Sequence, residues 1–149
     1  MQNNAARVVL AASRRCDAKP LLHQLHCLPV RQCIMYKTAV TTRKVLTTGV
    51  PAYLKEHLVR HAATRQTRSA ARPLLTVPRT NTEFARRSFS YTAPVTWNNL
   101  PADVLLCNSE SSFKKHLKTF LFNTCFYATC LTPLVPLKLP RNGTIYLCI

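Results

Sequence analysis

The sequence predicts a mainly α-helical chain in which a few short helices flank an extended or disordered, arginine-rich middle segment. Three observations support this prediction. Ten prolines against two glycines interrupt most long regular elements. Apolar residues make up 47% of the chain and recur at helical spacing in several short stretches. Between these stretches arginine, threonine, serine and proline dominate, which favours extended backbone with two short strand candidates, 74–77 and 88–92.

The N-terminal segment, residues 1–59, is predicted to form short helices separated by proline and glycine. A basic, alanine-rich helix covers residues 1–16, and a second begins near Pro20 and stops before Pro29. A third runs from residue 30 to about residue 46, and a fourth follows Gly49. Their predicted apolar faces are Ala5, Val9 and Ala12 in the first; Val30, Ile34, Thr41 and Val45 in the third; and Val50, Tyr53, Leu54, His57 and Leu58 in the fourth.

Three further segments follow. Residues 60–92 form the arginine-rich linker, in which Glu83 is the sole acid and the arginines are expected to be largely solvated. Residues 93–126 hold a proline-bracketed turn with the only tryptophan, Trp97, and then an amphipathic helix that Asn108 or Ser109 caps. Residues 127–149 form an irregular apolar tail.

The charge balance excludes several classes of enzyme. The 21 lysines and arginines against 5 aspartates and glutamates give a formal charge of +16, which indicates an anionic partner. So few carboxylates leave little for acid–base work or for holding Mg²⁺, and Asp17 and Asp103 are far apart in sequence. We therefore expect no catalytic residue, no metal and no cofactor, and neither a self-contained polymerase nor a metal-dependent nuclease.

The histidine and cysteine clusters are only weak evidence for a metal site or a catalytic site. Four soft ligands fall within a short stretch, but their spacing matches no common zinc finger: His23, His26, Cys27 and Cys33. His57 and His61 lie one helical turn apart, yet Leu58 stands where a metalloprotease helix has glutamate. The seven cysteines are read as reduced thiols, and no sequence pattern joins a nucleophile to a base.

Repeated arginines favour nucleic acid as the partner, because cations on phosphate release condensed counterions and arginine also stacks on unpaired bases. The expected ligand is RNA or single-stranded DNA, bound non-specifically, with no small-molecule substrate. The candidate phosphate contacts are Arg60, Arg65, Arg68, Arg72, Arg79, Arg86 and Arg87, with Lys114, Lys115 and Lys118 as a second patch. Trp97 is assigned to packing, because prolines bracket it.

A second class of function stays open. The basic N-terminus also reads as a mitochondrial presequence, and the uncharged stretch Thr119–Leu137 is nearly long enough to span a bilayer. Asn123 and two prolines weaken a span, so a membrane partner is disfavoured. The basic composition continues well past any presequence, which favours a nucleic-acid protein over a mitochondrial one. The expected location is intracellular, in the nucleus or cytoplasm, with the mitochondrion as the alternative.

A series of short blocks occurs in one order through the chain. The blocks are Asn4–Arg7, Leu25–Gln32, Tyr36–Lys37, Pro51–Leu54, Val77–Arg79, Arg87–Ser90, Ala93–Pro101 and Ser111–Phe122. This succession resembles the C-terminal end of the reverse transcriptase polyprotein of LINE-type, jockey-like non-LTR retrotransposons. In that family the endonuclease and the polymerase palm, with its paired aspartates, precede this region. The resemblance therefore implies a non-catalytic fragment of an RNA-directed DNA polymerase that helps to hold template RNA or target DNA.

Departures from the family pattern imply a degraded copy of the element. Cys27 and Arg43 stand where the family has aromatic residues, and Cys33 where it has an arginine. Replacing a buried aromatic by a small residue removes packing and is destabilising by roughly 3 to 5 kcal/mol. The tail beyond residue 126 does not share the resemblance, and an unselected relic without function is a further alternative.

Overall fold

The structure, a computed structural model, describes residues 1–61 and 72–127. Within those ranges it contains seven α-helices and one short 3-10 helix, which confirms the predicted helical class. The α-helices are α1 (Gln2–Val9), α2 (Ala18–Gln24), α3 (Val30–Thr48), α4 (Ala52–Lys55), α5 (Phe89–Asn98), α6 (Ala102–Leu105) and α7 (Glu110–Phe126). The 3-10 helix, Ala85–Arg87, lies just before α5.

The chain divides into two compact units. The terminal unit comprises Met1–Cys33 with Lys118–Ile149, of which residue 127 is the last described, and the central unit comprises Ile34–Leu117. The helices α3 and α7 therefore each contribute residues to both units. The four sequence segments predicted from composition, 1–59, 60–92, 93–126 and 127–149, stay a prediction.

In the terminal unit, α1 packs against α2. Ala6 and Leu22 are buried there, at 3% and 4% exposure, and the side chain of Gln2 donates to the carbonyl oxygen of Leu28 at 2.7 Å. The carboxylate of Asp17 accepts from the backbone N–H of Lys19 at 3.2 Å and caps α2. The predicted second helix is thus confirmed.

Aromatic rings supply the rest of the terminal unit's described packing. The ring of His23 contacts Phe122, Phe126 and Tyr127, with centroids 5.3, 5.0 and 5.5 Å away. His26 stacks on Phe122 at 5.9 Å with an interplanar angle of 11°. The Nε2 atom of His23 also lies 3.0 Å from the hydroxyl of Tyr127. Both histidine rings are therefore used in side-chain packing.

The core of the central unit gathers side chains from several helices. Phe113 and Leu117 of α7 are fully buried, Trp97 of α5 is 4% exposed, and Val45 of α3 is fully buried. The rings of Trp97 and Phe113 lie 6.0 Å apart. The packing role predicted for Trp97 is therefore confirmed. The predicted amphipathic helix is also confirmed, and it begins after Ser109, whose Oγ atom accepts from the N–H of Ser112 at 3.1 Å.

Side chains of α5 hold an extended segment against the core. The indole Nε1 of Trp97 donates to the carbonyl oxygen of Pro73 at 2.7 Å. The amide of Asn98 pairs with both backbone groups of Leu75, donating to its oxygen at 2.8 Å and accepting from its N–H at 2.9 Å. We call these bonds the Trp97–Asn98 clamp. On its other side, Leu75 forms an antiparallel bridge with Arg60.

Both predicted strands are absent from the described residues. Residues 74–77 form only the isolated bridge between Leu75 and Arg60, and the N–H and carbonyl of Leu75 bond to the Asn98 side chain instead of to a second strand. Residues 88–92 belong to the start of α5. Ser88 adopts the extended backbone of a helix N-cap there, and its carbonyl accepts from the N–H of Thr92 at 3.0 Å.

The predicted apolar face of the first helix is wrong, and that of the third is correct only at Val45. α1 ends at Val9, which is 69% exposed, and buries Ala6. In α3, Val30 and Ile34 are 58% and 61% exposed, while Ala39, Thr42, Arg43 and Val45 are buried. The buried hydroxyl of Thr42 has a hydrogen-bond partner within the same helix, since it donates to the carbonyl of Thr38 at 2.8 Å.

The predicted fourth helix is shorter than its apolar spacing indicated. Gly49 has φ of 71°, a left-handed conformation that ends α3 as predicted. α4 then covers only Ala52–Lys55, and Tyr53 is 66% exposed. Leu58 is buried as expected, although it lies beyond the end of the helix.

Loss of the Asn98 amide is expected to destabilise the protein. The substitution Asn98→Ala leaves the N–H and carbonyl of the buried Leu75 without their side-chain partner. Unfolding in urea, followed by circular dichroism, is expected to show a loss of about 2 kcal/mol. The neighbouring substitution Asn99→Ala, at an exposed position, is the matched control and is expected to change stability by less than about 0.5 kcal/mol. Equal stability of the two variants would contradict a role for the clamp.

Candidate nucleic-acid interface

The arginines that the sequence nominates for phosphate fall into three groups. Arg65 and Arg68 lie outside the described residues. Arg60, Arg79 and Arg87 are exposed. Arg72 and Arg86 are half-buried and contact other protein groups. The structure therefore separates the nominated arginines by their surroundings, which the sequence pattern did not.

Arg72 and Arg86 have partners within the protein, so the expectation of solvated side chains is wrong for both. The Nη2 atom of Arg72 donates to the carbonyl oxygen of Leu100 at 2.6 Å, and its Nε is buried without a partner among the described residues. The Nη1 atom of Arg86 lies 2.7 Å from a carboxylate oxygen of Glu83. These contacts orient the two guanidinium groups toward the protein itself.

Arg60 lines a small cavity in the central unit. The cavity encloses about 170 Å³ and is open on one side. We call it the Trp97 cavity; its polar lining is Arg43, Thr47 and Arg60, and its apolar wall includes Leu75, Trp97 and Leu105. Arg60 reaches this position through its backbone bridge to Leu75. The Trp97–Asn98 clamp therefore positions one of the predicted phosphate contacts.

Arg43, which the sequence pattern did not nominate, is a buried cation of the same cavity. It is 9% exposed, and its Nη2 donates to the carbonyl oxygens of Cys107 and, at 3.5 Å, Ser109. The centre of its guanidinium lies 4.6 Å from the centroid of the Phe113 ring. The expectation that Arg43 removes a packing group is thus wrong. No spacing in the sequence could have shown this, because its hydrogen-bond partners lie more than sixty residues away.

The lysines of α7 differ in their surroundings. Lys114 pairs with Glu110 one helical turn earlier, with Nζ and Oε1 2.5 Å apart. The hydrogen bond from Lys114 and its charge lower the pKa of the Glu110 carboxyl, and the hydrogen bond to Glu110 raises the pKa of Lys114. Lys115 is exposed in the central unit, and Lys118 is exposed in the terminal unit. Part of the Lys114 charge is therefore compensated within the helix.

A thiol and an imidazole that the sequence analysis did not pair lie together beside α7. The Sγ atom of Cys107 is 3.1 Å from Nδ1 of His116 and donates to the carbonyl oxygen of Asp103 at 3.2 Å. The thiol is therefore within hydrogen-bond distance of both a carbonyl oxygen and an imidazole nitrogen.

The described residues contain neither a metal-binding cluster nor a membrane-spanning helix. In residues 1–61 and 72–127, no group of three or more histidine, cysteine, aspartate or glutamate side chains could hold a metal ion. Among the same residues, no helix is long and apolar enough to cross a bilayer. The candidate span Thr119–Leu137 is described only to residue 127, where it forms the end of α7.

Comparison with protein-family models, curated proteins and solved structures finds no match to this chain.

Replacing Lys114 is expected to raise the pKa of Glu110. The lowered pKa means that the ion pair stabilises the folded chain above the ordinary glutamate value of 4.5, and that this contribution disappears as the pH falls through the lowered value. At the alkaline end, the raised pKa of Lys114 means that the contribution disappears as the pH rises through that value, above 10.5.

NMR titration of the Glu110 side-chain carbonyl measures this shift. In Lys114→Met the Glu110 pKa is expected to move up toward 4.5. The variant Lys115→Met removes the same charge one residue away and is expected to leave the Glu110 pKa lowered. Identical titration curves for the wild type and Lys114→Met would refute the pairing.

Proposed function

We propose that this chain binds RNA or single-stranded DNA without sequence specificity, as a non-catalytic C-terminal fragment of a retrotransposon RNA-directed DNA polymerase. The observation that carries the binding proposal is the formal charge of +16 together with exposed arginines on a helical framework. Phosphate contacts release condensed counterions, so such a surface binds any strand. The fragment's origin rests on the resemblance of its ordered sequence blocks.

The exposed arginines are the strongest candidates for phosphate contact. Arg60, Arg79 and Arg87 present their guanidinium groups to solvent, and binding phosphate there breaks no protein contact that the structure describes. Arg72 and Arg86 would first have to leave a carbonyl and a carboxylate. We therefore assign the central binding surface to the three exposed arginines, and we call them the exposed arginine set.

An exposed aromatic ring favours a single strand over a duplex. Phe84 is 86% exposed and directly precedes the 3-10 helix Ala85–Arg87. A solvent-exposed ring beside an arginine suits stacking of unpaired bases, which duplexes keep inside the helix. The proposed interface therefore combines phosphate contact at Arg87 with base stacking on Phe84.

Removal of the exposed arginine set is expected to flatten the salt dependence of binding. Fluorescence anisotropy with a labelled single-stranded RNA gives the affinity at several salt concentrations. For the triple variant Arg60→Ala, Arg79→Ala, Arg87→Ala, the slope of log affinity against log salt is expected to decrease by about two units, because each phosphate contact on a single strand contributes about 0.7.

A second triple variant controls for net charge. Arg14, Arg15 and Arg31 are exposed in the terminal unit and lie outside the proposed surface, so replacing them by alanine removes the same charge. Its slope is expected to stay close to that of the wild type. Equal flattening in both triple variants would show that binding follows overall charge alone, and an unchanged slope in the first would overturn the proposed surface.

A further inference from the structure

The Trp97 cavity combines the size, wall chemistry and charge that a single nucleotide needs. All of its lining residues belong to the central unit. Arg43 and Arg60 supply two positive charges, and no acidic side chain is among the lining residues. A site with this balance is suited to a ligand that has both an apolar face and negative charge.

The space in the cavity is sufficient for about one six-membered ring, and the open side leaves room for groups attached to that ring. It encloses about 170 Å³, whereas drug-sized ligands occupy pockets of about 300 to 1,000 Å³. An apolar cavity of about 150 Å³ is sufficient for a benzene molecule. A pyrimidine ring is close to benzene in size, and a purine has a second fused ring. The space therefore favours a pyrimidine base.

The polar groups of the wall match the edge of uracil. Arg43 is more than nine-tenths buried, and both of its hydrogen bonds leave from Nη2, so its Nε and Nη1 donors are uncommitted among the described residues. The Thr47 hydroxyl donates its proton within α3, to Arg43 or Lys44, which leaves its oxygen as an acceptor. Uracil offers two carbonyl oxygens to donors and one N–H to an acceptor.

The exposed rim of the cavity supplies a phosphate contact. Arg60 is exposed, and its backbone is held by the bridge to Leu75, one of the residues of the apolar wall. Its guanidinium can therefore reach a phosphate outside while the base lies inside. Guanidinium groups bind phosphate oxygens through charge-assisted hydrogen bonds.

The wall is held in place before any ligand binds. Trp97 donates to Pro73 and Asn98 pairs with Leu75, so the clamp fixes both the tryptophan ring and the segment opposite it. A preformed wall requires less ordering on binding, which favours affinity for a small group. The same bonds place the protein's only tryptophan at the site, as a spectroscopic probe.

We propose that the Trp97 cavity binds one unpaired pyrimidine nucleotide of a bound strand, with uridine phosphate preferred: the base enters the cavity, and Arg60 contacts the phosphate. This inference rests on the proposed nucleic-acid binding and adds a base-size preference to it. The uracil ring lies against the apolar wall, Arg43 donates to its carbonyl oxygens, and Thr47 accepts from its N–H.

The fluorescence of Trp97 in the full-length protein tests the site directly. Titration with uridine monophosphate is expected to produce a saturable change in emission, because the ligand fills space beside the indole. Adenosine monophosphate is expected to bind at least about tenfold more weakly, and inorganic phosphate is expected to leave the emission unchanged. Equal responses to the two nucleotides, or the same response to phosphate alone, would overturn the proposal.

Two single variants separate the phosphate contact from the base contact. Arg60→Gln is expected to weaken uridine monophosphate about tenfold while leaving the affinity for uridine, which has no phosphate, unchanged. Arg15→Gln removes the same charge at an exposed position of the terminal unit and is expected to leave both affinities unchanged. Equal weakening of uridine and its monophosphate by Arg60→Gln would contradict the assigned phosphate contact.

The RNA salt titration distinguishes failure of this site from failure of the proposed function. If uridine monophosphate does not change the tryptophan emission while the exposed arginine set still controls the salt slope, the cavity proposal is wrong and the proposed strand binding stands. If the emission responds to uridine monophosphate and the salt slope does not depend on that set, the cavity binds nucleotides and the proposed strand surface fails. The two measurements therefore have independent outcomes.

Discussion

The central unit depends on side-chain amide and indole groups that satisfy the backbone of an extended segment. Asn98 bonds both polar groups of Leu75, and Trp97 bonds the carbonyl of Pro73. Leu75 is only 2% exposed, so without these partners its N–H and carbonyl would be buried with unmet hydrogen bonds. A neighbouring β-strand usually meets this need. Here one helix does so, and a short extended segment can therefore join a helical core without a sheet.

This clamp also links the fold to the candidate site. By fixing Leu75 it fixes the bridge to Arg60, and by fixing the Trp97 ring it forms one wall of the cavity. Arg43 of α3 lines another part of the cavity, and its guanidinium packs on the Phe113 ring. The proposed nucleotide site thus uses the same contacts that bury the core. Its geometry changes only if the packing of the central unit changes.

The sequence predicts those elements whose signals are local. Pro20 lies in the first turn of α2, Ser109 caps α7, and Gly49 ends α3, since each requirement involves residues within one turn. For α3 the sequence predicted the burial of Val45 but missed that of Arg43, whose position depends on the distant Cys107, which no periodicity records. The same limit applies to the site. The composition correctly predicted that Arg60 is exposed, but it predicted the same for Arg72. Arg72 is half-buried and donates to the carbonyl oxygen of Leu100, and this contact is known only from the fold.

A chain with 21 basic and only 5 acidic side chains cannot pair most of its arginines with carboxylates. The structure shows a different solution: Arg43 and Arg72 donate to the carbonyls of Cys107 and Leu100, which directly follow the caps of α6 and α5. Leu100 lies in the short connection between α5 and α6, and Cys107 lies in the connection between α6 and α7. Because these acceptors are uncharged and the contacts are partly buried, salt screens them less than it screens contacts with phosphate in solvent. The proposed contacts between exposed arginines and nucleic acid are therefore more sensitive to salt than the contacts of the arginines that hold the core.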